Sequence, residues 1–197
     1  SLLVGIIASI LVLLIGSIYG ASAAYFGGRA DMIMMRIVDI IYTVPDIMLI
    51  ILMTVTFKEP IKSLANIPFL SWINVVGVPL ICIFIVFSLL YWVGMARVVR
   101  SQVLTSKEQE YVTAAKAMGA SHWRIIRKHL LTNCIGTLTV MTTLQIPSAI
   151  FTESFLSFIG LGVSAPMPSL GSMAKESLAG LRSYPYRLIV PAILISL

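Results

Sequence analysis

The side chains able to do chemistry in this 197-residue chain gather in one stretch, residues 107–132, KEQEYVTAAKAMGASHWRIIRKHLLT. It holds Lys107, Lys116, Arg124, Arg127 and Lys128, the acids Glu108 and Glu110, and both histidines, His122 and His129. Neither histidine has a second ligand at metal-binding spacing, and no nucleophile motif lies beside either. No G-x-x-x-x-G-K-[ST] loop is present to cradle ATP phosphates, and Gly27-Gly28-Arg29 reads as a turn. Asp39 and Asp46, seven apart on one predicted helix, are not the paired aspartates of an intramembrane protease. The metalloprotease pattern H-E-x-x-H is absent. Cys82 and Cys134 lie in or at apolar helices without a C-x-x-C partner and read as packing residues. The chemistry left to the 107–132 stretch is recognition, as a polar segment shaped to be gripped by another protein.

That shape follows from spacing. Tyr111, Ala114, Ala115 and Met118 recur at i, i+3, i+4, i+7, one face of a helix. Gly119 follows the last periodic residue, where a left-handed residue ends a helix. Ser121 is placed to cap a second helix by accepting a backbone N–H. Ile125, Ile126 and Leu130 give that helix an apolar face, with Arg124, Arg127 and Lys128 mostly off it. The spacing predicts a helix–turn–helix lying in water between membrane spans. The small side chains of its first helix would let another protein approach its backbone closely.

The elements that must position this loop are set by composition. The chain is 58% hydrophobic and 11% charged, where a soluble domain is about one quarter charged. The fold class is all-α, a polytopic membrane helix bundle, and the length suits one bundle domain over residues 1–197. The net charge of +6 does not point to nucleic acid, because the basic residues concentrate between spans as membrane topology requires.

Residues 2–24 are apolar and long enough to cross a hydrocarbon core of about 30 Å. Gly5, Gly16 and Gly20 interrupt the Leu/Ile pattern and permit close helix packing. Tyr25-Phe26-Gly27-Gly28-Arg29 ends this span with an aromatic anchor and a turn. A second span over 32–57 carries Arg36 and Asp39, three apart and able to pair, a kink at Pro45, and Asp46 well inside the span. A carboxylate at that depth lines a pathway or gate, or satisfies free backbone beside the proline. A loop over 58–71 precedes a third span over 73–99, with Trp72 as an interfacial anchor. Arg97 and Arg100 then leave the membrane. The excess of basic residues over 97–128 places this loop in the cytoplasm. A fourth span opens at Asn133 and is unusually polar. Thr142, Gln145 and Ser148 are its best candidates for lining a solute path, with hydroxyl bonding between helices as the alternative. Glu153 lies near its outer end, where a charge costs less, and Gly160 and Gly162 close it. A short interfacial helix is expected within 169–181, and a fifth span starts at Leu188.

Against this background, Thr113-Ala114-Ala115, three residues, Gly119, nine residues, then His129-Leu130-Leu131-Thr132 resembles the EAA loop of ABC importer permeases, E-A-A-x3-G-x9-I-x-L-P. Ala114, Ala115, Gly119 and Leu131 match. Thr113 replaces the glutamate, His129 the isoleucine and Thr132 the proline. The flanking QEYVTAAKAMGAS and the later TESFLSFIGLGVSAPMPSLGSM are similar to the inner-membrane permeases of oligopeptide, dipeptide and nickel importers, in particular the second of their two permease subunits. The resemblance covers nearly the whole chain.

The resemblance implies a type I (MetI-like) importer-permease fold, with about five spans in this stretch and segments missing at both ends. It implies a cytoplasmic EAA loop over 101–132 that docks on a separate ABC ATPase, which binds the ATP. Glu110, Tyr111, Thr113, Ala114, Ala115, Met118 and Gly119 would form or adjoin that docking surface, with Glu110 in place of the missing glutamate. It further implies a second permease subunit as a heterodimer partner, an extracytoplasmic solute-binding protein, and residence in a bacterial or archaeal cytoplasmic membrane. No cofactor, metal or enzymatic activity is expected of the chain itself. Asp46, Thr142, Gln145 and Ser148 remain the pathway candidates. Peptides are the expected solute. Nickel or another small solute on the same architecture is the alternative, and a non-transporting membrane scaffold or sensor is the reading from a different class.

Overall fold

The computed structural model of the protein describes residues 1–67, 73, 76–163 and 167–196, and among these every regular element is helical. In chain order they are α1 (Leu2–Phe26), α2 (Gly28–Thr43), α3 (Asp46–Leu64), α4 (Val78–Leu90), α5 (Trp92–Ser106), α6 (Glu110–Ala117), α7 (His122–Arg124), a π-helical turn (Ile125–Leu130), α8 (Leu131–Asn133), α9 (Ile135–Ile159), α10 (Leu170–Ser177) and α11 (Tyr186–Ser196). Three stretches are long and apolar enough to cross a membrane: Leu2–Phe26, Val78–Ser106 and Ile135–Ile159. The pair Gly28–Thr43 and Asp46–Leu64 makes a fourth if it is one broken span. Trp72 and Pro166, which the sequence assigns to an anchor and an external segment, lie outside the described residues.

The second span is interrupted rather than kinked. Val44 is extended (φ −91°, ψ 138°), as a residue preceding proline prefers, and α3 begins immediately after Pro45. Asp46 is therefore not a carboxylate inside a continuous span. It is the first residue of α3, where the helix dipole favours a negative charge. The helix also continues past the predicted loop start at Lys58, reaching Leu64 because Ile61 and Ala65 bury against Ile73 and Cys82. Likewise α5 runs on to Ser106, so Arg97 and Arg100 sit on a helix and not in a loop.

The chain divides into two compact units: Ser1–Ala8, Asp46–Phe87 and Gln145–Leu197 form one, Ser9–Pro45 and Ser88–Leu144 the other. In the first, a Cβ on Gly5 would press on Ile150 at 2.6 Å, and one on Gly171 would collide with the carbonyl oxygen of Ser154. Glu153 is not at an exposed outer end. It is completely buried, and its Oε1 accepts from Ser157 Oγ at 2.7 Å. Ser157 Oγ in turn accepts from the Val163 amide at 3.0 Å. The carboxylate thus secures the chain reversal that begins at Gly160 (φ +91°). The predicted short helix appears as α10, opened by a capping box between Ser169 and Ser172 and followed by a 3₁₀ turn, Leu178–Gly180.

The second unit carries the loop. Its core joins Val12, Ala21 and Ala24 of α1, Met95, Val99 and Val103 of α5, Val112 and Ala115 of α6, and Ile125, Ile126 and Leu130 of the π-helical turn. Gly16 and Gly20, one turn apart, let α1 approach the backbone of α5 at Trp92 and Ala96. Cys134 also packs here. Both it and Cys82 are buried and free of disulfides, the packing role read from the sequence.

Candidate functional site: a clamped cytoplasmic-type loop

The helix–turn–helix forms as its local chemistry dictates. α6 ends in a two-bond left-handed cap: the Gly119 amide donates to Lys116 O at 2.9 Å and the Ala120 amide to Ala115 O at 3.0 Å. Gly119 sits at φ +78°. Ser121 is extended and its Oγ accepts from the Arg124 amide at 3.4 Å, capping the second helical arm. The arm then passes through the π-helical turn, and Thr132 Oγ1 donates to the Arg127 carbonyl at 3.3 Å. Ile125, Ile126 and Leu130 are buried while Arg124, Arg127 and Lys128 are exposed, as their spacing predicts.

Of the four residues that the spacing puts on one face of α6, Ala115 alone is buried. Val112 and Ala115 are buried, one turn apart. Glu110, Tyr111, Thr113, Ala114 and Gly119 are exposed, and Met118 is 80% exposed. Ala115 is thus a packing residue of this chain's own core, and its side chain is not available to a partner. The surface a partner can reach is the opposite one, centred on Thr113, Ala114, Ala117 and Met118.

Three connections that the sequence does not display hold this loop in place. Asn133 Nδ2 donates to Tyr111 Oη at 3.2 Å and lies 3.4 Å from Ser106 Oγ, closing the base of the loop. Tyr25 Oη bonds His122 Nδ1 at 2.8 Å, tying the turn to the end of α1, with the two rings edge to face. Lys107 Nζ donates to the Ala24 carbonyl at 3.2 Å. The signal for Tyr25 and His122 was present as an aromatic at a span end and a histidine beside a helix cap, but only the fold brings them together.

Two ion pairs fix α2 on α5. Arg100 grips Asp31 through two bonds of 2.6 Å, a forked guanidinium–carboxylate geometry. Arg97 bonds Asp39 at 2.8 Å and stacks over the Tyr42 ring at 4.1 Å. Asp39 therefore pairs across helices and not with Arg36, which is exposed. A double-mutant cycle on Asp31→Asn and Arg100→Gln, read as thermal stability of the purified full-length protein, is expected to give a coupling energy of about 1–2 kcal/mol. Additive single effects would show that the fork contributes nothing.

Of the pathway candidates, Thr142, Gln145 and Ser148 lie on α9 and Asp46 opens α3. Thr142 is half-buried, and its hydroxyl donates to the Leu138 carbonyl of its own helix at 2.7 Å. Thr139, Thr143 and Thr152 make the same backward bond. Gln145 is half-buried, and Ser148 and Asp46 are exposed. Only 6% of the apolar window of α9 is buried within this chain, against 39% for α1 and for Val78–Ser106. Val140, Leu144 and Phe151 on it are each more than half exposed.

Membrane-length apolar helices, joined by one polar helix–turn–helix, mark an integral membrane protein. Residues 3–197 match the binding-protein-dependent transport system inner membrane components, and the chain belongs to that family. It is 42% identical over 192 residues to the oligopeptide transport system permease protein OppC of Bacillus subtilis, covering 98% of this chain and 57% of that protein. It is 45% identical over 198 residues to the dipeptide permease protein DppC of the same organism, covering all of this chain and 56% of the relative. The glutathione transport system permease protein GsiD of Pectobacterium atrosepticum is 32% identical, over all of this chain and 59% of its own length. The chain thus spans somewhat over half the length of the curated relatives it matches.

Proposed function

We propose that this chain is part of the membrane subunit of an ATP-driven importer, forms the solute pathway, and couples to a separate ABC ATPase through the 107–132 loop. The observation that carries this reading is the α6 surface. It is short, small-chained and exposed at Thr113, Ala114 and Met118, yet its backbone is fixed by the Gly119 cap and by the burial of Val112 and Ala115. A rigid exposed strip on a clamped loop is what transmits force from another protein. The clamps at Tyr25 and Asn133 pass that force to α1 and to the start of α9. Re-packing of those helices would alternate access to a path. ATP would be bound by the partner, not by this chain.

The exposed apolar side chains Val140, Leu144 and Phe151 of α9 support a second permease subunit, since they leave a surface of this helix for another chain to cover. An extracytoplasmic binding protein would deliver the solute. The relatives named for oligopeptides, dipeptides and glutathione make peptides the favoured cargo, and a bacterial or archaeal cytoplasmic membrane the setting.

The test uses the full-length protein with Cys82 and Cys134 replaced and a single cysteine at Met118. That position replaces Ala115, which is buried. A crosslink to a groove cysteine on the co-expressed ATPase, with yield dependent on ATP, is the expected result. No crosslink to any candidate ATPase, with both proteins folded at the membrane, would move the assignment to a non-transporting scaffold.

A further inference from the structure

The second arm of the loop presents a cationic face that the docking reading does not use. Arg124, Arg127 and Lys128 are exposed, follow i, i+3, i+4 spacing, and line one concavity together with Trp123 and Thr132. Among the described residues none of the three cations has an ion-pair partner, whereas Arg97 and Arg100 are both paired. Trp123 is 51% exposed beside them. The face also lies close to the membrane. The arm runs helically from His122 to Asn133, and α9 starts at Ile135. Lys128 is seven residues before that start, which along a helix is at most about 10 Å. Lys128 at that distance, and Arg127 one residue further, carry long stems that reach the phosphate layer.

We infer that Trp123, Arg124, Arg127 and Lys128 form a binding site for the phosphate headgroup of an anionic phospholipid in the adjoining leaflet. Guanidinium forks match a phosphodiester. The site would hold the second arm against the bilayer while α6 is left free for its protein partner. The inference rests on the loop facing the cytoplasm, where anionic lipid attracts juxtamembrane basic clusters.

The experiment is native mass spectrometry of the full-length permease in neutral detergent, titrated with phosphatidylglycerol and separately with phosphatidylcholine. Tighter retention of phosphatidylglycerol is expected. Arg124→Gln, Arg127→Gln and Lys128→Gln together should weaken it roughly 10–100-fold and leave phosphatidylcholine unchanged. Should the triple variant not fold, a salt titration of the unaltered protein decides: the preference should collapse as ionic strength rises to about 0.5 M. A preference that is absent, indifferent to salt, or retained by a folded variant overturns the site. So does a variant that loses the ATPase but keeps its lipid, which would assign the face to the protein interface. Sidedness is read separately, by labelling Glu108→Cys with an impermeant maleimide in vesicles of known orientation. Lipid binding in micelles does not depend on that result.

Discussion

Gly119→Val is expected to abolish most of the coupling between ATP hydrolysis and transport while leaving the permease in the membrane. The reason is backbone conformation and not bulk. A Cβ built on Gly119 meets nothing within 4 Å, so there is room for a side chain. The residue is at φ +78°, however, where an L side chain costs about 1–2 kcal/mol and a β-branched one more. That energy opposes the only geometry in which the amides of Gly119 and Ala120 reach the carbonyls of Lys116 and Ala115. At 1.4 kcal/mol per factor of ten, Gly119→Ala should lower the population of the docked loop about 5- to 30-fold, and Gly119→Val further. Asparagine tolerates the left-handed region, so Gly119→Asn should stay closest to the parent. The measurement is binding-protein-stimulated ATPase activity of the reconstituted transporter, with membrane abundance as the control. Equal activity for the three variants, or an order that follows side-chain volume, would remove the cap from the argument.

This loop was legible in the sequence because its determinants are local. Gly119 and Ser121 act within one turn of where they stand, and Ile125, Ile126 and Leu130 sort themselves by period alone. The inward face of α6 was not legible for the opposite reason. Tyr111–Ala114–Ala115–Met118 and Val112–Ala115 are both acceptable apolar stripes, and only the neighbouring core chooses the second. Asp39 had Arg36 within reach along its own helix, but α5 supplies Arg97 with Tyr42 to stack on, which no spacing rule reveals. Pro45 announced a disturbance. That it ends one helix and starts another depends on Val44 taking the extended form, and this moves Asp46 from a span interior to a helix start. Composition likewise does not show that the hydroxyls of Thr139, Thr142 and Thr143 donate back to their own helix. Membership of the transport family and the membrane class, in contrast, follow from motif and composition spread over the whole chain.

Gly20→Ala is expected to destabilise the permease by at least about 1–3 kcal/mol, the range for overpacking a tight core, even though alanine is the better helix former. A Cβ at Gly20 would fall on the carbonyl oxygen of Ala96, and backbone does not rotate away as a flexible side chain would. Gly16 is almost as tight, its Cβ lying 2.8 Å from the Trp92 carbonyl oxygen and 2.6 Å from Met95 Cβ. The whole of α1 must move off α5 to accept either, and the core that holds Val112 and Ala115 of the loop is built on those two helices. Loss of this contact therefore propagates to the docking surface. Gly94 and Gly136 supply the internal comparison, since both are helical and a Cβ on either meets nothing within 4 Å. Alanine there should be neutral or stabilise by up to about 1 kcal/mol. Thermal unfolding of the four purified full-length variants tests the contrast directly. A Gly20→Ala protein as stable as Gly94→Ala would mean that α1 and α5 are not held at backbone contact. A folded Gly94→Ala or Gly136→Ala protein that fails to transport would mark the surface where a second subunit closes on this one.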